Sequence, residues 1–429
     1  MDSFRVGIVG CGTVGGGVVE LLLENGETIE SRIGRKIEIA FVVDRDTEKP
    51  KKLGIPAEKI FADAFKALDV ECDAVVELVG GTTFAKEIVK TAIKRKRHVV
   101  TANKALLADY GEEIFKLAKE NGVSVKFEAS VGGGIPVIKA VREGLVGNRI
   151  KAIYGIINGT ANFILTEMSQ RGISFEEALR EAQEKGYAEA DPSLDVDGYD
   201  AAHKIAILSS LAFCRWIRTE EVFVDGIRDL TPLDVEIAKE EFGYAVKLLA
   251  ISKVSGGEVE VRVHPTMIPE ENILSSVNDV FNACLVEGDF VGRTLYYGKG
   301  AGRRPTASAV VSDIVDLALG NTFSVPECLF KENREIKLKK PNEFVSSFYL
   351  RFTAVDRPGV LARIAEILGR ENISIKSALQ KNIEFNGGVP IVMTTHPAKK
   401  SQIERAVEEI DRMDVIVKPT FVCMVEELQ

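Results

Sequence analysis

The sequence predicts an α/β protein in three parts: a doubly wound parallel sheet, an α+β second domain and a small C-terminal β-α-β-β-α-β module. Three observations support this prediction. Short apolar strands alternate with helical patterns over residues 1–135, as in a parallel sheet. Antiparallel-looking strands follow at 259–269 and 284–302. A charged stretch, KENREIKLKKPNE (331–343), then reads as an exposed linker to a separate strand and helix series.

Composition limits the possible functions. The chain has 429 residues, 45% hydrophobic and 28% charged, which suggests two or three globular domains. A net charge of -9 argues against a nucleic-acid partner. No apolar stretch has membrane-spanning length and the chain opens on a strand pattern, so we expect no membrane association, no signal peptide and a cytoplasmic location. Six scattered cysteines and four scattered histidines predict mostly buried thiols in a reducing cytosol, and no zinc site.

A glycine-rich loop follows the first strand, FRVGIV (4–9), and precedes an apolar helix. In a GxGxxG loop at this place, the first glycine allows the turn, the second lets a pyrophosphate approach the backbone, and the third lets helix and strand pack closely. The sequence therefore predicts dinucleotide-cofactor contacts from Gly10, Gly12, Thr13, Val14 and Gly15.

The choice between NAD and NADP stays open at this point. The second strand ends at Asp44, a residue type that binds the ribose hydroxyls of NAD, but Arg45 follows and would favour the phosphate of NADP. The loops after later strands, at 72–80 and 98–107, should face the ligand and bring Thr101 and Lys104 near the nicotinamide. Lys104 could equally be a surface lysine.

The most informative segment is GYAEADPSLDVDGYDAAHK (186–204), which holds five carboxylates and one lysine before an apolar helix pattern. Asp200 and Lys204 are four residues apart and share a helix face. A buried lysine among carboxylates has a tunable proton affinity, as an acid or base requires. The alternative is a helix with a solvated acidic first turn.

Two further glycine-rich loops have a structural and a functional interpretation each. Glu128 precedes SVGGGIP (130–136), whose carbonyl groups could bind a hard cation or simply form a crossover between domains. GKGAGRRPT (298–306) leads into a helix and could return the chain to the cofactor's phosphates, or be a tight turn.

The motifs GCGTVG, TANKALLA, EASVGGGIP, NGTANFIL, GYAEADPSLDVDGYDAAHK and GKGAGRRPT together resemble homoserine dehydrogenase over about residues 1–325. The resemblance implies reduction of L-aspartate 4-semialdehyde to L-homoserine with NAD or NADP, in the biosynthesis of threonine, methionine and isoleucine. It implies catalytic roles for Lys204, the proton donor, and for Lys104 and Asp195. It also implies that Glu189 and Asp200 bind the substrate's ammonium group.

The same resemblance adds two sets of ligands. Gly186 and Gly302 would contact the cofactor. A monovalent cation, Na⁺ or K⁺, would be held by Glu128 and the carbonyl oxygens of Val131, Gly133 and Ile135. Assembly into a homodimer or homotetramer is expected.

The last eighty residues resemble an ACT domain, a small ferredoxin-like amino-acid-sensing fold. The resemblance rests on the DRPG turn at 356–359, an Asn-Ile-Ser stretch and the order of strands and helices. It implies effector contacts from Asp356, Gly359, Asn372 and Ile373, and pathway logic points to L-threonine as the effector. Oligomerisation without a ligand is the alternative.

These inferences give predicted domain boundaries: an NAD(P)-binding domain at 1–135 with a return helix at about 305–322, a substrate-binding, catalytic and dimerisation domain at 136–304, a linker at 323–344 and the regulatory ACT domain at 345–429. Three other functions compete. A non-catalytic amino-acid sensor would not need the intact acidic helix. A dehydrogenase acting on a C–N bond lacks a matching substrate domain. A phosphorylating semialdehyde dehydrogenase would need a nucleophilic cysteine, and none of the six falls in a motif.

Overall fold

Strands and helices alternate along the first third of the chain, as the apolar periodicity predicted. The structure, a computed structural model, describes residues 3–331, 336–381 and 383–428. Its strands are β1 (Phe4–Val9), β2 (Ile37–Val43), β3 (Ile60–Phe61), β4 (Ala74–Glu77), β5 (His98–Thr101), β6 (Val125–Lys126), β7 (Ile150–Ile156), β8 (Phe223–Val224), β9 (Tyr244–Ser255), β10 (Glu258–Pro269), β11 (Phe281–Gly288), β12 (Gly292–Lys299), β13 (Val345–Ala354), β14 (Ile375–Gln380), β15 (Val389–Thr395), β16 (Ala398–Lys399) and β17 (Ile416–Val425).

The helices range from one turn to five. They are α1 (Thr13–Glu24), α2 (Gly26–Ile33), α3 (Glu48–Lys52), α4 (Ala64–Ala67), α5 (Thr83–Lys94), α6 (Lys104–Asn121), α7 (Val137–Lys139), α8 (Gly159–Arg171), α9 (Phe175–Glu184), α10 (Ser193–Val196), α11 (Tyr199–Phe213), α12 (Pro232–Phe242), α13 (Arg303–Ala318), α14 (Val360–Arg370) and α15 (Lys400–Asp411). Within the described ranges, no helix combines the length and the apolar character needed to cross a membrane.

The chain forms two compact units. The first comprises Met1–Gly159, Asp200–Val222 and Phe281–Ile336, and the second comprises Thr160–Tyr199, Phe223–Val280 and Lys337–Gln429. The domain boundaries read from the sequence stay a prediction.

The first unit contains a six-stranded parallel sheet in the order β3-β2-β1-β4-β5-β6. This order confirms the predicted Rossmann-type, doubly wound sheet. The strand order reverses between β1 and β4, and ligands of such sheets bind beyond the carboxyl ends of the strands at that point. The glycine loop after β1 and the end of β4 therefore lie where a cofactor would bind.

Apolar residues with the spacing of buried strands form the core of this sheet. Val6, Ile8 and Val76 are wholly buried. Helix α1 packs against them together with α13, whose Val310 and Ile314 are also wholly buried. Helix α13, which lies more than 300 residues after the N-terminus, thus completes the core of the parallel sheet. The sequence predicted a return helix at about 305–322.

The first unit also contains the antiparallel strands β7, β11 and β12, with Ala283 opposite Ile156 and Cys284 opposite Tyr296. These strands confirm the antiparallel pattern expected from the sequence. The end of β7 delivers Ile157 and Asn158 to the helix α11 that carries Lys204.

In the second unit the hairpin β9–β10 continues into the C-terminal module, in the order β9-β10-β17-β13-β15-β14. Helices α14 and α15 cover the module's core, which includes Phe348, Ile364 and Ile403. The β-α-β-β-α-β order confirms the predicted ferredoxin-like ACT fold.

The C-terminal module is tied to β10 by main-chain and ionic contacts. Strand β17 pairs in parallel with β10 through Met424 opposite Thr266. Arg262, wholly buried, donates to Glu426 at 2.6 Å. The amide of Val259 donates to the carbonyl of Lys337 at 2.9 Å. This part of the predicted linker is therefore hydrogen-bonded to a strand, and residues 332–335 of the linker lie outside the described residues.

One local expectation was wrong. The strand predicted up to residue 107 ends at Thr101, because Asn103 caps α6 by accepting the amide of Leu106 at 3.1 Å.

The expectation of mostly buried thiols agrees with four of the six cysteines, and the other two, Cys214 and Cys328, form a disulfide although they are 114 residues apart. Spacing along the chain does not reveal such a pair, since the fold alone brings the two together. The remaining cysteines are buried thiols: Cys11, Cys72, Cys284 and Cys423.

A buried ion pair fastens the C-terminal module within the second unit. Asp234 of α12, with no exposed surface, accepts from Arg351 Nε at 2.7 Å and from the Tyr349 hydroxyl at 3.0 Å. We predict that Asp234→Ala lowers the free energy of unfolding by about 3–5 kcal/mol, because Arg351 keeps a buried charge without its partner. Urea unfolding measures this. The exposed Asp229→Ala is the control and should change little; equal stability of the two variants would contradict the prediction.

Candidate active site

A buried ion pair lies at the start of helix α11. Asp200 is 8% exposed and Lys204 is 9% exposed, and Lys204 Nζ donates to Asp200 Oδ2 at 2.6 Å. The acidic first turn is therefore not a solvated helix end at these two positions, and the interpretation of a buried lysine–carboxylate pair is confirmed.

Two groups in the turn after β7 form further hydrogen bonds with this ion pair. Lys204 Nζ donates to the carbonyl oxygen of Ile157 at 2.6 Å. Asn158 Nδ2 donates to the same Asp200 oxygen at 2.8 Å. Both groups come from the segment where β7 passes into α8, so the strand fixes the orientation of the ammonium group on α11.

Lys104 reaches the other oxygen of the same carboxylate. Its Nζ lies 3.0 Å from Asp200 Oδ1, and its side chain is 39% exposed. Burial alone would raise the pKa of Asp200, but the charges of Lys204 and Lys104, with hydrogen bonds from Lys204 and Asn158, hold that pKa well below its usual range. One ionised carboxylate thus holds two ammonium groups, of which Lys104 is partly open to solvent. Such a pair can stabilise negative charge on a ligand oxygen and supply a proton.

A second buried carboxylate, which the sequence analysis missed, organises the loops beyond the sheet. Glu77, at the end of β4 and wholly buried, accepts from the Thr101 hydroxyl at 2.6 Å and from the Val79 amide at 2.9 Å. Thr101 in turn accepts the Asn103 amide at 3.0 Å, immediately before Lys104. Burial raises the pKa of Glu77. An acidic residue that ends an apolar strand was the available signal.

The glycine loop has the shape that a dinucleotide needs. Gly10 has φ of +101°, and a β-carbon at Gly15 would lie 1.8 Å from the Gly10 carbonyl oxygen. Nothing lies within 4 Å of a β-carbon position at Gly12, so the space before α1 is open. Thr13 and Val14 begin that helix, whose N-terminus suits an anionic group. The loop therefore fits the pyrophosphate of the predicted cofactor.

Asp44 fixes this loop from the end of β2. Its Oδ2 accepts the Cys11 amide at 2.9 Å and its Oδ1 accepts the Asp46 amide at 2.9 Å. Arg45 is exposed. Gly302, with φ of +118°, immediately precedes α13, whose first residue, Arg303, pairs with Glu20 of α1 at 2.9 Å. The sequence pointed to cofactor contacts from Asp44, Arg45, Thr101 and Gly302, and these remain predictions.

The loop after Glu128 is buried and rich in carbonyl groups. Glu128 accepts the amides of Ile138 and Lys139 at 2.9 and 2.8 Å, and its own amide donates to Asp313 at 2.7 Å. Burial, with the charge of Asp313, raises the pKa of Glu128 to about 7, and burial raises the pKa of Asp313 to about 7. Asp313 Oδ1 accepts no hydrogen bond from the described residues.

The backbone of this loop turns twice through positive φ, at Gly132 (+71°) and Gly133 (+55°). Val131 and Ile135 are buried, and the Ile135 carbonyl accepts the Val137 amide at 2.8 Å. Among the described residues, no cluster of three or more His, Cys, Asp or Glu side chains is placed to hold a metal ion. A cation here would depend on backbone carbonyl oxygens.

The remaining predicted site residues belong to the second unit. Gly186 has φ of +72° after α9, Glu189 is exposed, and its carbonyl accepts from Gln183 Nε2 at 3.2 Å. Asp195 lies in the short helix α10 and is partly buried. The roles given to Gly186, Glu189 and Asp195 stay predictions.

The DRPG turn of the C-terminal module borders a cavity of about 360 Å³, lined by Asp356 and Gly359 among others. Gln380 Nε2 donates to Asp356 at 3.4 Å. Asn372 has φ of +56°, and Ile373 is 3% exposed and part of the module's core. An effector contact by Ile373 side-chain atoms would therefore require access to that core.

Glu77 and Thr101 offer a direct test of the loop network. We predict that Glu77→Leu, which has no acceptor, and Thr101→Val each lower the free energy of unfolding by about 1–3 kcal/mol, because each leaves buried polar groups without a partner. The two losses should not add in the double variant, since both remove the same hydrogen bond. Denaturant unfolding of the four proteins measures this. If the two losses of unfolding free energy add strictly in the double variant, the hydrogen bond between Thr101 and Glu77 contributes nothing to stability.

Known protein families match most of the chain. The family described as "Homoserine dehydrogenase, NAD binding domain" matches residues 10–128, "Homoserine dehydrogenase" matches residues 136–315, and "ACT domain" matches residues 348–414. Curated homoserine dehydrogenases of Neisseria gonorrhoeae and Pseudomonas aeruginosa are each 46% identical, and each match covers 100% of both chains.

Solved structures agree. A homoserine dehydrogenase from Thiobacillus denitrificans is 44% identical, with a TM-score of 0.93 over 100% of this chain and 99% of that chain. A hyperthermophilic archaeal homoserine dehydrogenase in complex with NADPH is 30% identical, with a TM-score of 0.63 over 76% of this chain and 99% of that chain. On the strength of these matches and of the nicotinamide-binding sheet, the chain belongs to the homoserine dehydrogenase family of oxidoreductases.

Proposed function

We propose that this protein reduces L-aspartate 4-semialdehyde to L-homoserine, in the biosynthesis of threonine, methionine and isoleucine, with Lys204 as the proton donor. The observation that supports this most is the Asp200 carboxylate held between the ammonium groups of Lys204 and Lys104. A bound nicotinamide cofactor supplies the hydride. As negative charge builds on the aldehyde oxygen, Lys204 Nζ stabilises it and donates the proton.

Asp200 keeps both ammonium groups in place while the substrate is bound. We propose that Glu189, whose side chain is exposed, and Asp200 bind the substrate's ammonium group, and that Asp195 is a further catalytic residue. Lys104, the more exposed of the two lysines, is available to the substrate's other polar groups.

The role of Lys204 is tested by Lys204→Ala. We expect turnover to fall by about a hundredfold to ten-thousandfold, the range for loss of a general acid, with little change in cofactor affinity. Initial rates of NADPH oxidation with the aldehyde measure turnover, and fluorescence titration measures cofactor affinity. Lys151→Ala, which changes an exposed lysine of β7 in the same unit, is the control. Near-normal turnover in a folded Lys204→Ala protein would contradict the assignment of Lys204 as the proton donor. If the wild-type protein itself does not reduce the aldehyde, the alternative of a non-catalytic amino-acid sensor is favoured.

We propose NADP or NAD as the cofactor and infer that Arg45 favours NADPH. Arg45 is exposed directly after Asp44 at the end of β2, where the ribose of a bound cofactor would lie. Arg45→Ala should weaken NADPH binding roughly tenfold or more and NADH binding much less, because only NADPH loses a charge-assisted contact. Dissociation constants for both cofactors measure this, with the exposed Arg32→Ala as control. Equal weakening of both would show that Arg45 points elsewhere.

We also propose a monovalent cation, Na⁺ or K⁺, at Glu128 and the carbonyl oxygens of Val131, Gly133 and Ile135. The support is the turned, buried backbone of the loop and the neighbouring Asp313, whose Oδ1 accepts no hydrogen bond from the part of the chain that the structure describes. The cation would hold the loop in place.

The cation proposal has a readout apart from activity. At equal ionic strength, the melting temperature should be higher in NaCl or KCl than in tetramethylammonium chloride, which is too large for such a site. Glu128→Gln should abolish this difference. Identical melting temperatures in all three salts would refute the site.

The ACT module and the exposed apolar side chains of the chain bear on its regulation and its self-association. We propose a cytoplasmic homodimer or homotetramer in which the ACT module binds an amino-acid effector, with L-threonine as first choice; ligand-free oligomerisation is the alternative. The module's fold supports effector binding. Exposed apolar side chains of the β11–β12 hairpin, Phe290 and Tyr297, support assembly.

A further inference from the structure

The second unit contains a cavity that the sequence analysis did not anticipate. It has a volume of about 320 Å³ and lies between helix α15, strand β17 and the segment around β8 and β10. It is separate from the DRPG turn: none of residues 355–361 lines it. Its size lies at the lower end of the range for small-ligand sites.

The floor of the cavity is apolar. Phe348 and Ile403 are each 1% exposed, and Met424 is 6% exposed. His264 also lines the cavity, and burial and the charge of Arg262 hold the pKa of His264 well below its usual range, so the ring is neutral. This part of the wall offers apolar contact without charge.

The rim of the cavity carries both signs of charge. Lys400, at the first turn of α15, pairs with Glu404, and its Nζ lies 4.8 Å from the centroid of the Phe223 ring. Its side chain is 18% exposed. Asp225 lines the same rim, with Oδ1 accepting the Gly226 amide at 2.9 Å. One ammonium group and three carboxylates, those of Asp225, Glu404 and Glu408, therefore line the cavity together with its apolar floor.

We propose that this cavity binds an α-amino acid with an uncharged, largely apolar side chain. The ligand's carboxylate would pair with Lys400, its ammonium group with Asp225 and Glu404, and its side chain would rest on Phe348 and Ile403. The proposal deepens the amino-acid regulation proposed above and rests on it, but it places the effector between the ACT module and β8, away from the DRPG turn.

The cavity wall contacts the acidic segment that precedes Asp200. A β-carbon at Gly198 would lie 3.1 Å from Val224 Cγ1 and 3.2 Å from the Asp225 carbonyl oxygen. The amide of Ile227 donates to the Val196 carbonyl at 2.9 Å. Asp225 therefore lies next to the segment that contains Val196 and Gly198, four and two residues before Asp200 in the chain, and a ligand at Asp225 can act on that segment. Its effect on catalysis is bounded by its difference in affinity for the two arrangements.

The experiment compares the full-length protein with Lys400→Met, which removes the ammonium group, and Val407→Phe, which fills the mouth of the cavity. L-Threonine, L-isoleucine and L-methionine are titrated separately, with their D-enantiomers as ligand controls. Melting temperature reports binding, and the initial rate relative to each variant's own uninhibited rate reports regulation. Arg405→Met, on the same helix but paired with Glu371 outside the cavity, is the matched control.

We expect at least one of the three L-amino acids to raise the melting temperature of the wild type and of Arg405→Met. Its half-saturating concentration should rise tenfold or more in Lys400→Met and in Val407→Phe. The site is refuted if none of the three binds the wild type. It is also refuted if binding survives in both cavity variants, or if Asp356→Ala abolishes binding while Lys400→Met does not. The uninhibited rate of the wild type is a separate readout, so an inactive enzyme that still binds would overturn only the proposed reaction.

Discussion

The carboxylate of Asp200 is the constraint on which the candidate site depends. It is buried, so it is tolerated only as long as charged partners compensate for its lost hydration. Lys204 and Lys104 provide that compensation from two helices, and Asn158 adds a hydrogen bond from the end of β7. The same contacts that stabilise the buried charge therefore also fix the ammonium groups of Lys204 and Lys104 on the two oxygens of one carboxylate. Stability and chemistry here rest on one set of interactions.

Buried carboxylates recur at the points where strands of the first unit end. Glu77 accepts hydrogen bonds from the loop after β4 and from Thr101 at the end of β5. Glu128 accepts two amides of α7, and its own amide donates to Asp313. Among the described residues, backbone amides and the Thr101 hydroxyl, and no lysine side chain, donate to Glu77 and Glu128. This explains why burial raises the pKa of Glu77 and of Glu128, in contrast to the pKa of Asp200. The loops around a cofactor site are thus held by hydrogen bonds instead of apolar packing.

The C-terminal module is more firmly joined to its unit than a linker-tethered domain would be. Strand β17 pairs with β10, Arg262 pairs with Glu426, and Arg351 pairs with Asp234. Each of these contacts is buried or main-chain, so movement within the module changes what surrounds β8 and β10. A regulatory module built in this way can influence the acidic segment through packing, without a flexible tether.

The sequence by itself determined the elements whose signals are local. The parallel sheet followed from apolar periodicity, the glycine loop from the conformational freedom required at Gly10, and the shared helix face of Asp200 and Lys204 from their spacing. The tertiary structure alone decided which distant groups meet. Lys104 lies 96 residues before Asp200, Cys214 bonds to Cys328, and β17 pairs with β10. These contacts arise because folding brings together residues whose spacing along the chain carries no pattern, and so no local rule could identify the cavity at Lys400.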